Sequence, residues 1–155
     1  MNLLQSLIVW ATVANGLLAG GSLDTSLVKL PTRRRIGNVA YATFARGNDL
    51  GNGLIVYPIL GIGSALLVFI ATVVAYSQRQ ATGEMIPLVF ALITSILHSI
   101  ATSQAAPVML SLKNTPNDEA ILKDKLDKFE RWHAIRTIFQ VLTFLALVQA
   151  LIVLG

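Results

Sequence analysis

The sequence predicts an all-α integral membrane protein built as a four-helix bundle, and three observations carry that prediction. Of the 155 residues, 54% are hydrophobic and only 13% charged, whereas about a quarter are charged in an ordinary soluble domain. The mean hydropathy is +0.67. Four stretches, residues 3–23, 53–76, 86–103 and 134–154, approach the roughly 20 apolar residues that a membrane-crossing helix needs. Little is left over, so residues 1–155 read as one four-span domain.

The basic residues set the orientation. Lys29, Arg33, Arg34, Arg35 and Arg46 follow the first span, and Lys113, Lys123, Lys125, Lys128, Arg131 and Arg136 lie between the third span and the start of the fourth. Only Arg79 falls in the second connection. Basic connections stay cytoplasmic, so the first and third connections are expected inside and both termini outside a cytoplasmic membrane. The formal charge of +4 is therefore a matter of topology and of contact with anionic lipid. Nucleic-acid binding is not expected, because "TRRRIG" has no interleaved aromatics and adjoins a span. With no cysteine in the chain, disulfides and thiolate chemistry are excluded.

The first span has no basic leader and is longer than a signal-peptide core, so it reads as a retained helix. Gly16, Gly20 and Asp24 recur every four residues along it and share one face. Such a face admits a close helix neighbour, and a carboxylate on it is tolerated; alternatively Asp24 only marks the end of the span. Pro31 is expected to end the helix or fix its exit, and "TRRRIG" to form a solvated basic turn. A short helical piece then leads to Asn48, Asp49 and Asn52 at the start of the second span. These act either as caps and turn formers or, with Pro58 one turn deeper, as the entry to a kinked helix lining a cavity.

Thr94, His98 and Thr102 follow at four-residue intervals in the third span. A histidine at that depth is a site hypothesis, and equally a group bonded across helices for packing. Pro107 is expected to close this helix. In "TPNDE", Thr115 as cap, Pro116 at the first position and Asp118 at capping-box spacing predict the start of a fourth helix of nearly 40 residues. Its first turns carry an apolar stripe of Leu122, Leu126 and Phe129, with Asp124/Lys128 and Asp127/Arg131 as ion pairs on the wet side.

Continuing that stripe places Phe129, His133, Arg136, Gln140 and Thr143 within an arc of about 80 degrees. Polar groups on such an arc face protein or a wet cavity. The His98 arc and the His133 arc are expected to face each other across one polar pocket near the cytoplasmic end. Arg136 either pairs with Asp24, Asp49 being second choice, or snorkels to the interface; His133 and Trp132 alternatively form an interfacial belt.

At "FERWHAIRT" the chain resembles a family of small four-span membrane proteins, largely of unknown function, that includes the anthrone oxygenases. The resemblance rests on "GLLAG", Pro31, Pro107 and above all Trp132, His133 and Arg136 in "RWHAIRT". The sequence departs from the family where an Asn is usual after the Pro, in "APVML", and at Phe129, often a Trp. The resemblance implies a four-helix membrane bundle and, for some members, oxygen insertion into an activated anthrone without a cofactor. On that scheme His98 or His133 removes a C–H proton and Arg136 stabilises the enolate. The candidate catalytic set is then His98, His133, Arg136 and Asp24; Asn48, Asp49, Asn52, Trp132, Gln140 and Thr94 are candidate contacts for a hydrophobic aromatic or quinone-like ligand. No metal is expected, since the chain offers only two histidines, on separate helices, and no cysteine. The competing expectation is a non-catalytic accessory subunit of a membrane complex, or a homo-oligomer, in which the same residues lock the bundle.

Overall fold

The first helix does not stop where its apolar run does. In the computed structural model, which describes residues 2–154, α1 (Leu3–Asp24) continues through a π-helical turn (Thr25–Lys29) into α2 (Leu30–Ile36). Pro31 thus sits inside a continuous helix instead of ending it. The reason is local: the Leu30 N–H reaches back five residues to the Thr25 carbonyl, and the widened turn gives room to the residue without an N–H. "TRRRIG" is accordingly helical, and Arg33 is buried, paired with Asp127 and Glu130. The break falls at Gly37, whose φ of +87° suits a residue without a Cβ.

From there α3 (Asn38–Gly47) leads through a second π-helical turn (Asn48–Asn52), kinked at Gly51, into α4 (Gly53–Ser77). After a short turn come α5 (Thr82–Ser111), a single 3₁₀ turn (Leu112–Asn114) and α6 (Glu119–Leu154). Counting continuous segments, Leu3–Ile36, Asn38–Ser77, Thr82–Asn114 and Glu119–Leu154 are four helices long and apolar enough to cross a membrane. They run up and down in turn, as a four-helix bundle does.

Two further boundaries differ from expectation. Pro107 lies within α5, which runs on to Ser111 because Ala105, Met109 and Leu112 are buried against α3 and α6; packing outweighs the one lost hydrogen bond. The fourth helix opens at Glu119, capped by Asp118, whose carboxylate accepts from the Ile121 N–H at 2.9 Å. Thr115 closes the preceding helix instead, its hydroxyl donating to Ser111 O at 2.7 Å. Arg46 ties this turn down through the carbonyls of Leu112 and Thr115 and the side chain of Asn117.

The expected pairs along α6 are replaced by one other, Lys123 to Asp127 at 2.7 Å, because Asp127 also faces Arg33 of α2. Glu119 serves α3 as an N-terminal cap from another helix. Its carboxylate accepts from the backbone N–H groups of Asn38 and Val39 and from the Asn38 side chain, groups that α3 itself leaves without partners. These bonds, the Asn38 side chain first, hold the Glu119 carboxyl below its ordinary range. Its contribution to stability is therefore complete above the ordinary carboxylate range and is lost as pH falls through the lowered value. We expect Glu119→Gln to lower the thermal midpoint at neutral pH and to flatten its acid-side pH dependence, read by unfolding scans of the purified protein between neutral and acid pH.

Two apolar clusters hold the ends of the bundle. One joins Leu4, Ile8 and Ala11 to Val68, Ala71, Ala75, Leu88, Ala91 and the last turns of α6. The other joins Leu30, Tyr41, Ala45, Met109, Leu122, Leu126 and Phe129. The stripe at the start of α6 belongs to this second cluster, as its periodicity indicates. Between the clusters lies a layer of buried polar side chains, among them Asn15, Ser22, Thr94, His98, His133, Gln140 and Thr143.

Candidate functional site

The polar layer is built chiefly from the facing arcs of α5 and α6. Thr143 Oγ1 donates to Thr94 Oγ1 at 2.8 Å, and one turn along, Gln140 Nε2 and His98 Nε2 are 3.3 Å apart. The next step is within α6: Arg136 Nε donates to His133 Nδ1 at 2.9 Å. His133 Nε2 in turn lies 3.2 Å from the Ser22 carbonyl of α1. Because an arginine N–H only donates and a carbonyl only accepts, these two contacts fix His133 as the tautomer with its proton on Nε2. Phe129 stacks on the His133 ring at 5.2 Å, and the Arg136 guanidinium lies 5.8 Å from the Phe129 ring centre.

A cavity of about 570 Å³ opens in front of this wall. His98, His133, Arg136 and Gln140 line its polar side, and Leu18, Leu54, Pro58, Ile62, Met109 and Phe129 contribute to its apolar walls. The cavity lies along the first half of α4, where Gly53 is the one buried residue before Ser64. Gly51 has non-helical backbone angles, and Pro58 cannot donate to the carbonyl four residues earlier. Farther along, α4 and α5 close again where Val68, Ala71 and Thr72 meet Leu88 and Ala91.

Three polar atoms in the layer define what the cavity offers. His98, 8% exposed, has no partner for Nδ1, and Gln140, 2% exposed, has none for Oε1. With Gln140 donating to His98 Nε2, the groups left unpaired are an imidazole N–H and an amide oxygen. With the amide turned over and the histidine in its other tautomer, they are an imidazole lone pair and an amide N–H. The third feature is Arg136: Nε is spent on His133, and among the described residues no carboxylate lies within ion-pair distance of its guanidinium.

The structure brings together His98, His133, Arg136, Gln140 and Asp49 around the cavity. Asp24 stands apart. It is exposed and pairs with Lys29 at 3.0 Å, so the expected Asp24–Arg136 pair does not form. The buried face of α1 includes Ala11, Asn15, Leu18 and Ser22 and continues to Thr25 of the π-helical turn, rotated from the Gly16–Gly20–Asp24 line, while Trp10, Val13 and Leu17 are exposed. Gly16 still serves a close approach, since a Cβ there would come 3.0 Å from the Phe144 ring.

Asn48 donates to Asp49 at 2.9 Å, and Asn52 is exposed; neither lines the cavity, and Asn52 makes no side-chain cap to α4. Trp132 packs against the second apolar cluster, and Thr94 lies deeper than the cavity floor, bonded to Thr143. Tyr57 lines the cavity and was not foreseen. Its ring lies over Gly53, where a Cβ would sit 3.0 Å from it; a tyrosine in an apolar run otherwise resembles an interfacial residue. Among the described residues no three His, Asp or Glu side chains cluster as metal ligands would. No family model matches the chain, and no curated protein or solved structure is detectably similar to it.

Proposed function

We propose that the chain is a multi-pass integral membrane protein whose cavity binds a hydrophobic aromatic or quinone-like molecule through an oxygen that carries, or develops, negative charge. The observation that carries this reading is Arg136, a guanidinium oriented by His133, facing a largely apolar cavity without a carboxylate partner. A donor-only cation in such surroundings is matched by an oxyanion. A volume of about 570 Å³ lies within the range of small-molecule sites, roughly 300–1,000 Å³.

The chemistry we propose is cofactor-independent oxidation, suggested by the resemblance at Trp132, His133 and Arg136 to the anthrone oxygenase family. His133 is committed at both ring nitrogens, so it positions Arg136, and the base is His98 with its free Nδ1. His98 takes the acidic C–H proton, and the electron pair moves into an enolate held by Arg136. Dioxygen adds at that carbon, and the hydroperoxide loses water to leave a carbonyl. The alternative, an accessory subunit, is favoured by the bonds that join helices in the same layer, Thr143 to Thr94 and His133 to Ser22. A direct test is calorimetric titration of the purified protein with anthrone and with hydroxynaphthoquinone: saturable binding at one per chain supports the site, and no binding by either supports the accessory role.

The proposed orientation puts the connection carrying Arg79 outside and the two basic connections in the cytoplasm. The absence of cysteine makes this simple to test. A single cysteine at Gln80→Cys should react with an impermeant maleimide in intact cells, and one at Asp124→Cys only after permeabilisation. The opposite pattern reverses the topology.

A further inference from the structure

A second groove, of about 420 Å³, runs along the surface between α4 and α5 and shares Ala65 and Ser99 with the cavity. From Ser103 to Leu92 it follows α5 for roughly 16 Å, with Phe69 of α4 on the opposite bank. Thr72 marks its far end, where the hydroxyl lies 3.4 Å from the Leu88 carbonyl and the two helices touch again.

The floor of the groove asks for no polar partner. Ser99 and Ser103 donate their hydroxyls to carbonyls of their own helix, at 2.9 and 2.7 Å. Phe69, Ile96 and Ile100 are each about half exposed, so the banks are apolar and open along their length. Ser95, Ser99 and Ser103 line this stretch of α5 with small side chains, which leaves the channel unfilled. The polar demand lies at the other end, at Arg136, His98 Nδ1 and Gln140 Oε1.

Resting on the reading that the cavity binds an oxygenated aromatic molecule, we infer that its ligand is a single-chain amphiphile: a planar, hydroxylated head in the cavity and one apolar chain in the α4–α5 groove. The head presents one oxyanion to Arg136 and a second oxygen to the His98–Gln140 pair. A head of higher charge is disfavoured because Asp49 also lines the cavity. The groove beside the cavity is a single channel between two helices, which suits one chain and not the two of a phospholipid. The chain lies parallel to the helices, so such a ligand enters sideways from lipid without crossing water.

The test compares hydroxynaphthoquinone with its decyl derivative, each titrated into the full-length protein in nanodiscs, with partition into empty nanodiscs subtracted. The decyl compound is expected to bind at least about tenfold more tightly than the head alone. Ile96→Trp, which fills the groove, should cut that advantage to less than about twofold. Binding of both compounds with equal affinity overturns the inference and leaves the cavity reading standing. Binding of neither overturns both. A two-chain phospholipid recovered at one per protein, and lost in Ile96→Trp, gives the groove to bulk lipid and overturns the inference.

Discussion

Arg136→Met is expected to weaken binding of an oxyanionic aromatic ligand by roughly 100-fold, the loss of one or two charge-assisted hydrogen bonds in a largely apolar site. The protein itself should remain folded, with a thermal midpoint within a few degrees of the wild type. Both halves of the expectation come from the same geometry. A buried arginine paired with a carboxylate is a structural element, and removing it strands the opposite charge at a cost of about 3–5 kcal/mol. Arg136 has no such partner, since Asp24 is taken by Lys29 and Asp49, which lines the same cavity, lies beyond ion-pair distance. What Arg136→Met leaves behind is His133 Nδ1, an acceptor that water in the cavity can satisfy. Calorimetry and an unfolding scan on the same preparation decide the matter. Unchanged affinity with a large drop in midpoint would assign Arg136 to the frame of the bundle and end the binding reading.

The facing arcs of α5 and α6 were legible in the sequence because a four-residue spacing survives any small error in helix ends. Thr94 and His98 against Gln140 and Thr143 needed only the helical period and the cost of polar groups in an apolar run. Helix ends were less legible. Pro31 and Pro107 each read as a stop, and each was overridden by a nonlocal or backbone effect, the π-helical turn before Pro31 and the burial of Ala105, Met109 and Leu112 around Pro107. Charge partners were the least legible of all. Asp24 finds Lys29 five residues on because the π-helical turn draws them together, whereas Arg33 crosses the sequence to Asp127. The cavity followed from Pro58 only in outline; its walls depend on which residues of α1, α5 and α6 face the first half of α4 and on a tyrosine ring seated over Gly53.

The two histidines should separate binding from chemistry. His98→Leu removes a cavity-lining imidazole whose Nδ1 has no partner in the protein, so turnover of an anthrone with dioxygen is expected to fall by about 100- to 10,000-fold, the range for a lost general base. Binding of a hydroxynaphthoquinone should change by less than about tenfold, because Arg136 remains held by His133 and the neutral wall contributes less than the cation. His133→Leu should do the reverse of sparing affinity. It releases Arg136 from its orienting acceptor, removes the link from α6 to the Ser22 carbonyl of α1, and lowers stability by about 1–3 kcal/mol along with binding. His133→Gln offers an acceptor and a donor on one side chain and should recover part of the binding without altering the base. The readouts are oxygen consumption, ligand affinity and thermal midpoint for each variant. If His98→Leu turns over normally and His133→Leu loses turnover with its affinity intact, the roles are exchanged and the committed hydrogen bonds of His133 break during the reaction. If neither substitution moves anything but the midpoint, the polar layer is a lock between helices, and the accessory role takes precedence over the enzyme.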